Sequence, residues 1–217
     1  MQTILLTGFE PFNGESINPA WEAVHALAEW HGAGFRVKVR QLPCAFGLAS
    51  DAIEAAVAQC MPAIVIAVGQ AGGRAEMSVE RIAINIDDAR VTDNRQLQPI
   101  DVPVVAGAPA AYFATLPIKA IVHGLREGGI PAAVSQSAGT FVCNHVFYGL
   151  MHYLATSNSM QGVRAGFIHV PFLPQQAAVH PGAPSMALAD IIAGLKLAVT
   201  ITLATQADLR VTEGRLD

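Results

Sequence analysis

The chain has 217 residues, of which 52% are hydrophobic and only 14% charged, with a formal net charge of −4. With no run of lysine or arginine in an acidic, weakly charged chain, the sequence argues against a nucleic-acid partner. Three widely separated cysteines, Cys44, Cys60 and Cys143, make neither a disulfide framework nor a CxxC metal clip, and fit a reducing cytoplasm.

The apolar excess predicts a sheet covered on both faces and apolar surface hidden in a homo-oligomer. The first run, "TILLTGF" (3–9), has the length of a buried strand, and the segment around it lacks the basic start of a signal peptide. "NPAWEAVHALAEW" (18–30) predicts a helix with Asn18 as N-cap and Pro19 at the first helical position. "FRVKVRQL" (35–42) alternates like a half-exposed strand, "DAIEAAVAQC" (51–60) is helical, and "PAIVIAVG" (62–69) reads as a fully buried strand. "VERIAINI" (79–86) alternates again and predicts one further strand. A helix over 118–129, a strand over 131–137, a helix over 142–155, a strand over 165–172 and a long helix over 185–205 complete the order. The longest apolar segment, 191–204, is shorter than a bilayer span and carries Lys196. This alternation predicts one α/β domain over 1–217, a three-layer α/β/α sandwich around a largely parallel, mixed, twisted sheet. Residues 87–101 and 171–185 interrupt it at lengths that suit functional loops.

Cys143 opens the helix of 142–155. A thiol there is either a small buried hydrophobe or a thiolate favoured by the helix dipole, with free N–H groups able to receive an oxyanion. A nucleophile needs a base. His145 is two residues along the same helix and faces elsewhere, whereas His169 stands near the end of a buried strand before a proline-rich loop. Strand ends of this kind carry functional groups in α/β folds. An orienting acid could be Glu80, Asp87, Asp88 or Asp101, and spacing does not choose between them. Phe9 and Phe12 fall in a loop reading "GFEPFNG", as pocket walls or as a hydrophobic plug.

The stretches "TGFEPFNGESINPAW", "VGQAGGR", "ERIAINIDDARVTDN", "AGTFVCNHVFYGL" and "GFIHVPFLPQQ" together closely resemble the type I pyroglutamyl peptidases. The resemblance implies a cytosolic thiol hydrolase that releases N-terminal pyroglutamate from peptides, needs no metal or cofactor, and assembles as a tetramer. It also implies roles: Cys143 as nucleophile, His169 as base and Glu80 as third member. It further implies Phe9, Phe12, Gln70 and Phe141 around the pyroglutamyl ring, and Arg90 near the reacting carbonyl. Pyroglutamate presents a neutral lactam with no charged amino group, which suits aromatic walls and backbone hydrogen bonds. An amidase acting on another blocked acyl group, an inactive ligand-binding relative and a purely structural subunit remain the alternatives.

Overall fold

The computed structural model describes residues 1–214. Its strands are β1 (Gln2–Phe9), β2 (His31–Gly32), β3 (Phe35–Leu42), β4 (Ile64–Gln70), β5 (Met77–Glu80), β6 (Ile82–Ile84), β7 (Ala111–Phe113), β8 (Ala132–Ser135) and β9 (Arg164–Val170). The helices are α1 (Pro19–His25), α2 (Leu48–Cys60), α3 (Ile118–Glu127), α4 (Val142–Thr156), α5 (Pro174–Ala177) and α6 (Leu188–Ala204).

Seven strands form the central sheet in the order β2-β3-β1-β4-β9-β5-β8, and β6 pairs with β7 in a separate ribbon. Strands β3, β1, β4 and β9 run parallel, while β5 lies antiparallel to β9 and carries β8 parallel to itself. Strands β1 and β4 are buried along nearly their whole length, as parallel strands covered on both faces must be.

Because side chains alternate across a strand, each central strand feeds two cores. Ile4, Leu6, Ile66, Val68, Ile168 and Val170 pack with α1, α3 and α6. Leu5, Val65, Ala67 and Phe167 pack on the other face with α2 and α4. The result is the expected α/β/α sandwich with a mixed sheet. No helix of the described residues is long and apolar enough to cross a membrane.

Helix α1 starts as its sequence requires, with the Asn18 side chain accepting from the Ala20 N–H at 3.0 Å and Pro19 at the first helical position. It stops at His25 rather than Trp30: Glu29 takes a φ of 64°, and Trp30 turns back to meet the Phe35 ring edge-on at 5.1 Å. The expected single strand over 79–86 is two strands in two sheets. Asn144 of α4, fully buried, accepts from the Ile84 N–H at 3.0 Å and donates to the carbonyls of Ile84 and Ile86, pulling β6 out of the main sheet and over α4. Asn144→Ala leaves these backbone groups unpaired at a buried site, so a loss of about 1–3 kcal/mol is expected in urea unfolding. The loop 87–101 is closed by an Asp87–Val102 bridge, and 171–185 contains α5 and a Phe172–Ser185 bridge.

Candidate active site

Strand β8 runs through a turn, with Gly139 at a φ of 77°, into α4, where Cys143 is the second helical residue. The turn is pinned from the side: the Thr140 hydroxyl donates to the Asp88 carbonyl at 2.7 Å, and the Asp88 N–H donates to the Thr140 carbonyl at 2.9 Å. The sulfur of Cys143 lies over Gly69 near the end of β4, where an added Cβ would stand 2.9 Å from Sγ and 2.7 Å from the Phe167 ring. Only a residue with no side chain leaves that room. Gly69 is in register with His169 on β9, so the thiol lies over the carboxyl end of the strand beside the one that carries the imidazole.

Antiparallel pairing sets Ser78 opposite His169 and places Glu80 diagonally from it on the same face. Glu80 is completely buried, not an exposed strand-end acid, and its Oε1 lies 2.8 Å from His169 Nδ1. A carboxylate only accepts, so the Nδ1 proton is donated to it, and in the neutral ring the lone pair then lies on Nε2. The same Oε1 accepts from Arg74 Nη1 at 2.7 Å, while Oε2 is buried with no partner among the described residues. Burial by itself would raise the Glu80 pKa. Contacts to His169, Ser135 and Arg74 outweigh that, and the carboxyl is held below its ordinary 4.5.

The surroundings of the thiol act against the thiolate that its helix position favours. Burial pushes Cys143 up to about 12, the negative charge of Glu80 pushes the same way, and Arg74 opposes them. Desolvation of a sulfur anion and the nearby carboxylate thus both favour the protonated thiol. The arrangement can do acid–base chemistry at sulfur: a neutral thiol, an imidazole with a free lone pair, and a buried anion behind it.

The competing candidates are engaged elsewhere. Asp87 Oδ2 lies 2.8 Å from His145 Nδ1, and the Gly47 N–H donates to His145 Nε2 at 3.0 Å, so this pair clamps the loop before α2. Asp88 and Asp101 have exposed side chains. His152 bonds Tyr112 at 2.9 Å. Among the described residues no cluster of three or more His, Cys, Asp or Glu has the geometry to hold a metal.

The half-buried rings of Phe12 and Phe141 face each other at 6.1 Å, backed by Phe46 edge-on to Phe141 at 5.4 Å. Their loops are tied together: Glu10 Oε1 accepts from the Cys44 N–H at 3.0 Å and Asn94 Nδ2 at 2.8 Å, and Asp93 accepts from the Phe46 N–H at 2.9 Å. Phe9 is not in this wall. It is the last residue of β1, not a loop residue, and is buried against Phe167 at 6.3 Å, behind His169. The Gln70 side chain also turns away. Its Oε1 accepts from Gln176 at 3.0 Å, because Gln70 and Gly69 point to opposite faces of β4. Arg90 is exposed, two residues beyond the Asp88–Thr140 clasp.

The layout is linear across the sheet. Phe12 follows the end of β1 and Phe46 the end of β3, while Cys143 lies over β4, His169 stands on β9 and Glu80 on β5. Beyond lies an open trough of about 450 Å³ lined by Arg74, Glu76, Ser78 and Ser135. Sequence reasoning singled out neither Arg74 nor Asn144, although both stand in the quoted motifs "VGQAGGR" and "TFVCNH". The available signal was a cation two glycines past a strand end, where backbone can fold a side chain back over the sheet.

The family model described as pyroglutamyl peptidase matches residues 2–205. The chain is 61% identical over 216 residues to the pyrrolidone-carboxylate peptidase of Cupriavidus pinatubonensis, covering 100% of both chains. It is 58% identical to that of Erwinia tasmaniensis over 99% of each. The crystal structure of pyroglutamyl peptidase I from Bacillus amyloliquefaciens superposes with a TM-score of 0.94 at 42% identity, covering 97% of this chain and 99% of that one. The pyrrolidone carboxyl peptidase of Thermococcus litoralis gives 0.92 at 38% identity, over 98% and 100%. Matching along its length in sequence and fold, this chain belongs to the pyroglutamyl peptidase family.

Proposed function

We propose that the protein is a cysteine peptidase that hydrolyses the amide bond after an N-terminal pyroglutamyl residue. The observation that carries this reading is the alignment of Cys143, His169 and Glu80 across the ends of β4, β9 and β5, next to the facing rings of Phe12 and Phe141. The lactam ring lies against Phe12 and Phe141. Phe9 acts from behind, fixing Phe167 and through it the imidazole, and Gln70 contributes through its backbone at the strand end.

Reaction begins with transfer of the Cys143 proton to His169 Nε2 as sulfur attacks the pyroglutamyl carbonyl carbon. Glu80 stabilises the imidazolium so formed. The oxyanion is received by backbone N–H groups at the start of α4, with Arg90 free to approach from its exposed loop. On collapse the C–N bond breaks, and His169 Nε2 gives its proton to the departing amine. His169 then takes a proton from water, which attacks the thioester to release pyroglutamate and restore the thiol.

The reading extends to a homo-oligomer, a tetramer, working in the cytoplasm. Exposed apolar side chains at Ile100, Phe113 and Val179 support the first, and three free cysteines support the second. The test is release of a fluorescent amine from a pyroglutamyl amide under reducing conditions, with the prolyl amide alongside. The pyroglutamyl substrate should turn over at least 100-fold faster, since proline leaves the donors that meet the lactam carbonyl unpaired. Equal rates, or no turnover of either by folded protein, would overturn the assignment.

A further inference from the structure

Arg74 has no place in the three-residue mechanism above, yet it donates to the same oxygen of Glu80 that accepts from His169, at 2.7 Å against 2.8 Å. We propose that Arg74 is a positioning residue that keeps Glu80 ionised while His169 is neutral, so that His169 Nε2 is available as a base. This rests on the proposed function, since it concerns the state of the group that activates Cys143.

The argument is one of charge in a closed space. Glu80 has no exposed surface, and its second oxygen is buried without a partner among the described residues. An isolated carboxylate in such a place takes up a proton. A neutral imidazole offers one hydrogen bond and no charge, so the permanent cation beside the carboxylate is Arg74. The other groups facing the pair carry no compensating charge: the Cys143 thiol from α4, the Ser135 hydroxyl from β8 and Ser78 from β5. Glu76, in the same trough as Arg74, is acidic and adds to the need. Arg81, next in sequence to Glu80, reaches instead to Gln136 and to the Glu213 carbonyl.

Arg74 is itself held in place, at 3.4 Å from the Ser135 hydroxyl and 3.3 Å from the Ser137 carbonyl, with its side chain 34% exposed. Without it, the Glu80–His169 pair binds its next proton at higher pH. If that proton rests on the imidazole, the Nε2 lone pair is lost. If it rests on the carboxyl, the carboxylate that fixes the tautomer is lost. Either way the base is withdrawn at a pH where the native enzyme still works.

The experiment compares wild type, Arg74→Lys and Arg74→Met across pH in two readouts: kcat/KM for a pyroglutamyl amide, and the rate of Cys143 alkylation by iodoacetamide. The acid limb of both profiles should move up by about one pH unit in Arg74→Met and stay near its native position in Arg74→Lys. A uniformly lower plateau with unmoved limbs in Arg74→Met would show that Arg74 only supports the fold, and would overturn the proposal. Thermal melts of each variant separate lost folding from lost charge, and Arg74→Lys carries the comparison if Arg74→Met unfolds. In that case Arg74→Lys must hold its limb near the native position, and a limb displaced by a full unit despite the retained charge counts against the proposal. The alkylation profile needs no substrate. A shifted alkylation profile in a protein that never cleaves the amide would therefore count against the peptidase reading and still support the role of Arg74.

Discussion

The Cys143→Ala protein is expected to fold like wild type and to lose pyroglutamyl-amide turnover by about 10⁵-fold or more, to the solution background. The fold should tolerate the change because Cys143 is only partly buried and removing one sulfur atom opens no large cavity. The activity should not tolerate it, because no other nucleophile shares the position. Cys44 is buried, with its pKa raised by desolvation and then by Cys143 and neighbouring carboxylates, and Cys60 ends α2. Free pyroglutamate should still bind, since Phe12 and Phe141 remain. Serine at 143 should rescue little, as an alcohol holds its proton more tightly than even this thiol. Assays of the purified variants check the rate, and a melt checks the fold. Appreciable turnover by Cys143→Ala would remove Cys143 from the mechanism.

Glu80→Gln is the second large effect, a loss of about 10³–10⁴ in kcat with KM little changed. Glutamine has the same shape but not the charge. It still can accept from Arg74 at one atom, while its NH₂ occupies the place of the unpartnered Oε2. The imidazolium formed during attack then has no anion behind it. The change should also alter the pH dependence of stability. The Glu80 carboxyl is held below its ordinary 4.5 in the folded state. Its contribution is therefore fully present above about pH 4.5 and is lost as the pH falls through the lowered folded value. Melting temperatures of wild type and Glu80→Gln, measured from neutral pH downward, should thus converge on acidification. A wild-type advantage that grows below pH 4.5 would contradict the ionised, partnered carboxylate.

Much of this was legible in the chain because it is written locally. The Asn18–Pro19 start of α1, the alternation of β3 and the continuous apolar runs of β1 and β4 each state a backbone period or a cap within ten residues. Family motifs named Cys143, His169 and Glu80 together, although spacing by itself left Glu80 level with Asp87, Asp88 and Asp101. Only the antiparallel register of β5 on β9 distinguishes them in space, setting Glu80 within hydrogen-bond reach of His169 and leaving Asp87 to His145.

Other features depended on contacts between distant segments, which no local period records. Phe9 and Phe12 look alike in one short loop motif, yet the first ends a strand in the core and the second faces Phe141. Gln70 is next to Gly69 but points through the opposite face of the sheet. Helix position alone favours a Cys143 thiolate, while desolvation and the buried charge of Glu80 push the opposite way. By itself the sequence determined the main helices and strands, their order and the residues with chemical capacity. The tertiary structure decided which of those residues share an oxygen, which face water and which proton each holds, because desolvation and charge are properties of the space they enclose together.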